Sequence, residues 1–157
     1  TLDEDPFHGE KVFRQQCAAC HRLGNVGHAI GPNLASSPSR DAKAILMHVL
    51  APNQYLLPNY ENYVVVDTNG RILTGMLASQ SATSVTLKRE ENKTETILRT
   101  NIDELRSTGK SLMPEGFEQK IDKQSMADLI GFLQAATAPT GDGPLHIGTL
   151  PGLVEPD

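Results

Sequence analysis

The chain has 157 residues, a formal net charge of −5, 38% hydrophobic residues and only 4% aromatic residues, with no Trp. No run of Lys or Arg occurs, which argues against a nucleic-acid partner, and no stretch approaches the ~20 apolar residues of a transmembrane helix. The length suits one domain, or one domain with a sizeable insertion. Its protein core is expected to be thin, because few large apolar side chains are available to fill it.

The first predicted element is a helix. Asp5-Pro6 is a helix-start signal, because Asp is a good N-cap residue and Pro is favoured at the first helical position. Gly9 and Phe13 then follow at helical spacing and lead into Cys17. A glycine four residues before an aromatic residue would let a second helix cross closely, although an ordinary amphipathic helix with a tolerated glycine explains the same pattern.

The pentapeptide Cys17-Ala18-Ala19-Cys20-His21 follows this helix. Two cysteines at this spacing with a histidine directly after them are the attachment signature of a c-type haem. The thiols can add to the two vinyl groups on one porphyrin edge, and the histidine can then bind the iron as proximal ligand. A zinc site would need two more ligands at similar spacing, and a thioredoxin-like pair would lie between a strand and a helix. We therefore predict one covalent haem c on Cys17, Cys20 and His21, and this rigid apolar group would fill the thin core.

A glycine-rich loop over residues 22–34 comes next and closes with Gly31-Pro32-Asn33-Leu34. His28 in this loop is a conceivable distal ligand, but it is close to His21 in the chain, and an ordinary loop histidine is the simpler interpretation. Ser37-Pro38 predicts the start of a second helix, which ends at Ala51-Pro52. Met47 and His48 on that helix are expected to have packing or surface roles.

From Tyr60 the pattern changes to β-structure. Residues 63–66 predict a strand, residues 67–70 a hairpin turn, and residues 72–78 a second strand with Gly75 as a candidate bulge. Two further strands are predicted at residues 84–88 and 94–98, with Ile102 and Leu105 in a short edge strand. The short turns predict an antiparallel meander inserted at about residues 58–107. We expect it to pack against the helical part, with screening of a haem edge or docking of a partner as the alternatives.

The segment Ser111-Leu112-Met113-Pro114 precedes the last predicted helix. Met76 lies in a predicted strand and Met126 on a helical apolar face, so both have packing explanations that Met113 lacks. Asp122 is the predicted N-cap of the last helix, whose apolar stripe runs to Leu133 and is expected to pack on the face of the first helix that carries Gly9 and Phe13. Residues 138–157 predict a tail or linker rich in Pro and Gly, where His146 is expected at the surface.

The residues Gly9 and Phe13, the CAACH pentapeptide and the GPNL turn are similar to those of class I cytochromes c. In that family the proline carbonyl of this turn accepts a hydrogen bond from the proximal histidine, which implies the pair Pro32 and His21 here. A methionine followed by proline before the last helix supplies the distal ligand there, which implies Met113. A thioether ligand favours ferrous iron and raises the reduction potential.

Residues 9–133 resemble more closely the haem-binding domain found in planctomycetes and verrucomicrobia. The matching segments are CAACH, GPNL, residues 52–60, Asn69-Gly70, SLMPEG at residues 111–116, and residues 127–130. In that group the domain lies at the end of large exported proteins that also carry dehydrogenase-like domains. The resemblance therefore implies an electron-accepting module, outside the cytoplasm, with a fused or partner dehydrogenase as its redox partner. The chain would be a processed protein or a segment of a longer exported one.

The residue patterns and the resemblance together imply a mainly α cytochrome c fold, with three or more helices around one haem and an inserted antiparallel β meander. The expected organisation is a single domain over residues 1–137. The expected function is one-electron transfer through haem iron ligated by His21 and Met113, without enzymatic activity of its own. The alternative is a haem-based sensor with a displaceable Met113, and peroxidase chemistry ranks last because the remaining histidines form no distal set. The pattern specifies no oligomeric state, reduction potential or propionate-binding residues.

Overall fold

The computed structural model describes residues 2–36 and 40–137. This part of the chain contains three α-helices and seven strands. The helices are α1 (Pro6–Gln16), α2 (Ala42–Leu50) and α3 (Lys123–Ala136). The strands are β1 (Arg22–Leu23), β2 (Val26–Gly27), β3 (Glu61–Asp67), β4 (Ile72–Gln80), β5 (Ser84–Lys88), β6 (Thr94–Leu98) and β7 (Ile102–Ser111). None of the helices in these residues has the length and apolar character needed to cross a membrane.

The prediction of a mainly α cytochrome c fold is wrong. About 30% of the described residues lie in strands, which form a five-stranded antiparallel sheet and a two-stranded one beside the three helices. The largest error is β7, predicted as a short edge near Ile102 and Leu105 but ten residues long in the structure. Most of its side chains are exposed and polar, and backbone pairing with β3 holds it in place, so apolar alternation could not reveal it.

Helices α1 and α3 cross closely, as the sequence predicted. A Cβ atom on Gly9 would lie 2.0 Å from the carbonyl oxygen of Asp128, so only glycine permits this approach. The rings of Phe13 and Phe132 meet beside it with centroids 5.9 Å apart, and both residues are fully buried. The predicted N-caps are confirmed, because the carboxylates of Asp5 and Asp122 accept hydrogen bonds from the first turns of α1 and α3.

Helix α2 differs from its prediction at the N-terminus and agrees with it at the C-terminus. Its first residue is Ala42 and its N-cap is Asp41, whose side chain accepts a hydrogen bond from the N–H of Ala44. The predicted start at Ser37-Pro38 lies outside the described residues, as does the predicted tail from residue 138 with His146. The helix ends at the C-cap Ala51, directly before Pro52.

The five-stranded sheet has the strand order β6-β5-β4-β3-β7. Strands β3 to β6 follow one another as hairpins, and β7 returns to pair with β3 on its free side. The predicted bulge at Gly75 is wrong, because Gly75 pairs regularly with Tyr63 and the register shifts between Leu77 and Ser79 instead. Glycine is needed at position 75 for another reason, since a Cβ there would lie 2.8 Å from the carbonyl oxygen of Lys88.

Two separate hydrophobic clusters stabilise the described part of the chain. The helical cluster is built on α1 and α3 and contains Phe13, Leu23, Leu129 and Phe132 among its most buried members. The sheet cluster covers one face of the five-stranded sheet and consists of Val65, Leu73, Val85, Leu87 and Ile97. The sheet therefore carries an apolar core of its own in addition to the helical one.

Candidate haem site

The CAACH pentapeptide continues the path of α1 for one more turn. The N–H of Cys17 donates to the carbonyl oxygen of Phe13 at 2.9 Å, and the N–H of His21 donates to the carbonyl oxygen of Cys17 at 2.8 Å. This winding places both cysteines on a single turn, directly before the histidine. Both are free thiols and both are partly buried. One turn thus presents two thiols and an imidazole together, as covalent attachment of a haem requires.

The two thiols are in surroundings that keep them protonated. Burial, reinforced by the neighbouring Cys20, raises the pKa of Cys17 to about 12. Burial also raises the pKa of Cys20, and the negative charge of Glu90 adds to this effect. Thiols used for disulfide exchange have a lowered pKa because the thiolate is the nucleophile. The electrostatics of Cys17 and Cys20 therefore argue against a thioredoxin-like redox pair.

His21 is held in one tautomer by the turn that follows it. Its Nδ1–H donates to the carbonyl oxygen of Pro32 at 2.9 Å, so Nε2 keeps its lone pair. Burial lowers the pKa of His21, and the hydrogen bond to Pro32 opposes this shift. A partly buried, neutral imidazole with one nitrogen engaged and the other available is the form that binds iron.

Gly31 provides the space in which this imidazole lies. A Cβ atom at Gly31 would be 2.6 Å from Cε1 and 2.9 Å from Nδ1 of His21. The turn is brought there by the carbonyl oxygen of Cys20, which accepts hydrogen bonds from the N–H groups of Ile30 at 3.0 Å and Gly31 at 2.7 Å. The GPNL segment thus packs its backbone against the histidine ring.

Met113 lies in the segment that connects β7 with α3. Its N–H donates to Oγ of Ser111 at 3.0 Å, and its side chain is partly buried against the helical cluster. Cys17 and Leu34 pack against the same cluster, as do several residues of α2. The structure therefore brings Met113 to the cluster that borders the CAACH turn, although the two segments are far apart in sequence.

The side chains of three other candidate ligands have different surroundings, and these candidates are His28, Met47 and His48. Nδ1 of His28 lies 3.3 Å from Nδ2 of Asn92. His48 is exposed, with its ring centroid 4.9 Å from that of Tyr55, and Met47 is only partly buried beside it. Within residues 2–36 and 40–137, no group of three or more His, Cys, Asp or Glu side chains could hold a bare metal ion.

The sheet was expected to pack against the helical part, and two hydrogen bonds show where it contacts the attachment segment and the loop that follows it. Glu91 lies in the turn between β5 and β6. Its N–H donates at 3.0 Å to the carbonyl oxygen of Ala19, which belongs to the CAACH pentapeptide. From the end of β5, Nζ of Lys88 donates to the carbonyl oxygen of Ala29. These bonds join residues about sixty or more positions apart, so no local pattern could have indicated them.

The residues present fit a covalent haem. Two neighbouring thiols can form the thioether bonds that hold a haem c. A neutral imidazole with an available Nε2 and a partly buried thioether are the iron donors that a His/Met-ligated haem c uses. The space that a Cβ at Gly31 would fill is taken by the ring of His21.

Residues 4–69 match the family model described as Cytochrome C oxidase, cbb3-type, subunit III. This match supports a cytochrome c class. It covers α1, the CAACH turn, α2 and β3, and it ends in the hairpin turn, so it does not reach Met113. The match does not support the finer assignments to the planctomycete type of domain and to a fold with an inserted sheet. No curated protein matches the chain.

Proposed function

We propose that this chain is a c-type cytochrome module that carries single electrons outside the cytoplasm. Cys17 and Cys20 would hold the haem through thioether bonds, and His21 and Met113 would ligate its iron. When bound, the haem supplies an iron atom that alternates between the ferrous and ferric states. The observation that carries the proposal is the hydrogen bond from Nδ1 of His21 to Pro32, formed on the turn that also presents both thiols.

The protein's part in electron transfer is to keep the ligand set unchanged between the two oxidation states. The Pro32 carbonyl and the Gly31 backbone fix the plane of the His21 ring, so the ring need not move when the charge of the site changes. Cys17 packs against the buried helical cluster, which limits water on that side of the site and so reduces the reorganisation that a charge change would cause. A rigid, partly buried site of this kind suits a carrier.

The proposed partner is a dehydrogenase, fused or separate, that delivers electrons to the module. The description of the matched family names an oxidase subunit, so the second candidate role is electron transfer within a larger oxidase complex. Cytochrome c domains are generally found outside the cytoplasm, which supports the proposed location. In either setting the module itself passes on electrons and forms no product.

The proposal is tested by optical spectra and a redox titration of haem-loaded protein, for the wild type, Met113→Leu and the control Met76→Leu. Met76 is a partly buried methionine in β4, outside residues 112–122, the segment between β7 and α3 that is called the Met113 segment below. We expect a low-spin wild type with the weak far-red band of methionine-ligated ferric haem. Met113→Leu should lose the band and lower the potential, because a soft thioether favours ferrous iron, and Met76→Leu should keep both.

Two results would contradict this proposal. A high-spin wild type that binds carbon monoxide readily would favour the haem-based sensor. A low-spin wild type without the far-red band, unchanged in Met113→Leu, would require a second histidine as ligand and would return attention to His28 and His48.

A further inference from the structure

The Met113 segment leaves the sheet through an irregular end of β7. Between the pairs Tyr63–Ser107 and Glu61–Ser111, β3 advances two residues while β7 advances four, so β7 bulges there. Gly109 in the bulge has a φ of +66°, in the left-handed region that favours glycine. A bulge bends its strand and redirects the chain that follows. The chain that follows here is Leu112 and Met113.

Side-chain hydroxyl groups within the bulge accept hydrogen bonds from its backbone N–H groups. Oγ of Ser107 accepts the N–H of Gly109 at 3.0 Å, and Oγ1 of Thr108 accepts the N–H of Lys110 at 3.2 Å. The hydroxyl of Thr108 in turn donates to the carbonyl oxygen of Asn62 on β3 at 2.8 Å. Two hydrogen bonds within the bulge and one to the neighbouring strand thus fix the direction in which β7 leaves the sheet.

A chain of two further hydrogen bonds continues from the bulge to Met113. The N–H of Ser111 donates to Oδ1 of Asn53 at 2.9 Å, and the N–H of Met113 donates to Oγ of Ser111 at 3.0 Å. Asn53 follows the buried Pro52 just after α2, and α2 packs against the helical cluster. The Met113 segment is therefore tied to both the sheet and the helical part.

We propose that Asn53 and Ser111 are positioning residues that hold Met113 in place for ligation. This inference rests on the proposed function, in which Met113 is the distal ligand. Neither residue contacts the iron in this account. Asn53 fixes the end of β7, and Ser111 fixes the backbone of the residue that carries the thioether. Without these bonds Met113 would still be present but would leave the iron more often.

The size of the effect follows from the hydrogen bonds lost. One such bond contributes about 1 kcal/mol, which corresponds to about a five-fold change in an equilibrium between ligated and displaced Met113. An external ligand that needs the displaced state gains affinity by the same factor, because its apparent dissociation constant depends on the population of that state. We therefore expect Asn53→Ala and Ser111→Ala each to strengthen imidazole binding to the ferric protein by about five-fold.

The experiment is an imidazole titration of haem-loaded protein, followed through loss of the far-red methionine band. Ser81→Ala is the matched control, because the Ser81 hydroxyl also accepts backbone N–H groups, of Thr83 and Ser84, and its bonds stay within the β4–β5 turn. Ser111→Thr keeps a hydroxyl at the same place and should restore wild-type binding. Urea unfolding of each variant measures the general loss of stability separately.

The outcomes distinguish the inference from the proposed function. If Asn53→Ala and Ser111→Ala bind imidazole like the wild type while losing as much stability as Ser81→Ala, the two residues are merely structural and the inference is wrong. If the wild type itself has no methionine band, the proposed function and the inference fail together.

Hydrogen exchange in the wild type keeps the inference testable if the alanine variants do not fold. The amides of Ser111 and Met113 should exchange much more slowly than that of Leu112, whose N–H donates no hydrogen bond to the residues that the structure describes. Equally fast exchange at all three positions would show that these bonds do not form in solution and would overturn the inference.

Discussion

Replacing Gly31 by alanine tests the packing of the GPNL turn against the proximal histidine. The new methyl carbon would lie 2.6 Å from Cε1, 2.9 Å from Nδ1 and 3.0 Å from Nε2 of His21. Carbon atoms in contact are normally about 3.5–4.0 Å apart, so the ring has to retreat by about 1 Å. A retreat of that size takes the 2.9 Å bond between Nδ1 and Pro32 beyond hydrogen-bonding distance.

The cost of this change has two parts. Overpacking contributes about 1–3 kcal/mol and the lost hydrogen bond about 1 kcal/mol, so the free energy of unfolding should fall by about 2–4 kcal/mol. In addition, a histidine without its hydrogen-bond acceptor is a less basic ligand and stabilises ferric iron less. Gly31→Ala should therefore raise the reduction potential of the haem-loaded protein.

Gly70→Ala is the control for this prediction. Gly70 has a positive φ of +78°, and no atom of the described residues would lie within 4 Å of a Cβ added there. An alanine at this position should cost about 1–2 kcal/mol through backbone strain alone and leave the potential unchanged. Urea unfolding and redox titration of the three proteins compare the effects. A Gly31→Ala protein with the potential of the wild type and the stability of Gly70→Ala would show that the GPNL turn does not hold the ring of His21.

Two further predictions concern the contact between α1 and α3. Gly9→Ala puts a methyl carbon 2.0 Å from the carbonyl oxygen of Asp128 and 2.7 Å from Cβ of Phe132. Urea unfolding should show a loss of about 3 kcal/mol, and a loss below about 1 kcal/mol would contradict the described crossing. The buried carboxylate of Asp128 accepts hydrogen bonds from the N–H of Asp5, Nδ1 of His8 and Nε2 of Gln124. These bonds hold the pKa of Asp128 in the folded protein below its ordinary value of about 3.9. The ionised carboxylate therefore stabilises the fold fully at pH values above the ordinary pKa. This stabilisation is lost as the pH falls through the pKa of the folded state. Thermal melts at decreasing pH should therefore show a flatter acid limb for Asp128→Asn than for the wild type, and equal slopes would contradict the assignment.

The local features of this chain could be predicted because their causes lie within a few residues. The N-caps Asp5 and Asp122 and the ends of β5 and β6 agree with the structure for this reason. The close crossing at Gly9 also follows from spacing, since glycine and an aromatic residue one helical turn apart leave a groove for a second helix.

The fold class could not be predicted in the same way, because it depends on pairing between distant segments. Strand β7 has few apolar residues, and its length is set by the register that β3 offers. A mainly α fold was predicted because the N-caps and the CAACH pentapeptide are strong sequence signals of the helical part. The sheet forms a second hydrophobic core from short strands, whose sequence signals are weaker. Composition alone suggested one thin core around a cofactor.

The candidate site also has residues that a local pattern predicted and contacts that depend on distant segments. The residues Cys17, Cys20 and His21 follow from one pentapeptide, and Pro32 and Met113 were implied by family resemblance. The contacts of Asn53 with Ser111 and of Glu91 with Ala19 depend on how the sheet meets the helical part, which no short pattern records. Asparagine and serine in loops are too common for their presence to indicate such a role.

The proposed haem module stands or falls with covalent attachment of a haem to Cys17 and Cys20. The chain should be produced in a host that matures c-type cytochromes, denatured, extracted with acidified organic solvent and weighed by mass spectrometry. We predict that the wild type keeps the mass of one haem and that a variant with both Cys17→Ala and Cys20→Ala does not, because the thioether bonds resist extraction. A wild-type protein that loses all its haem on extraction, or that acquires none, would contradict the proposal that the CAACH turn attaches a haem.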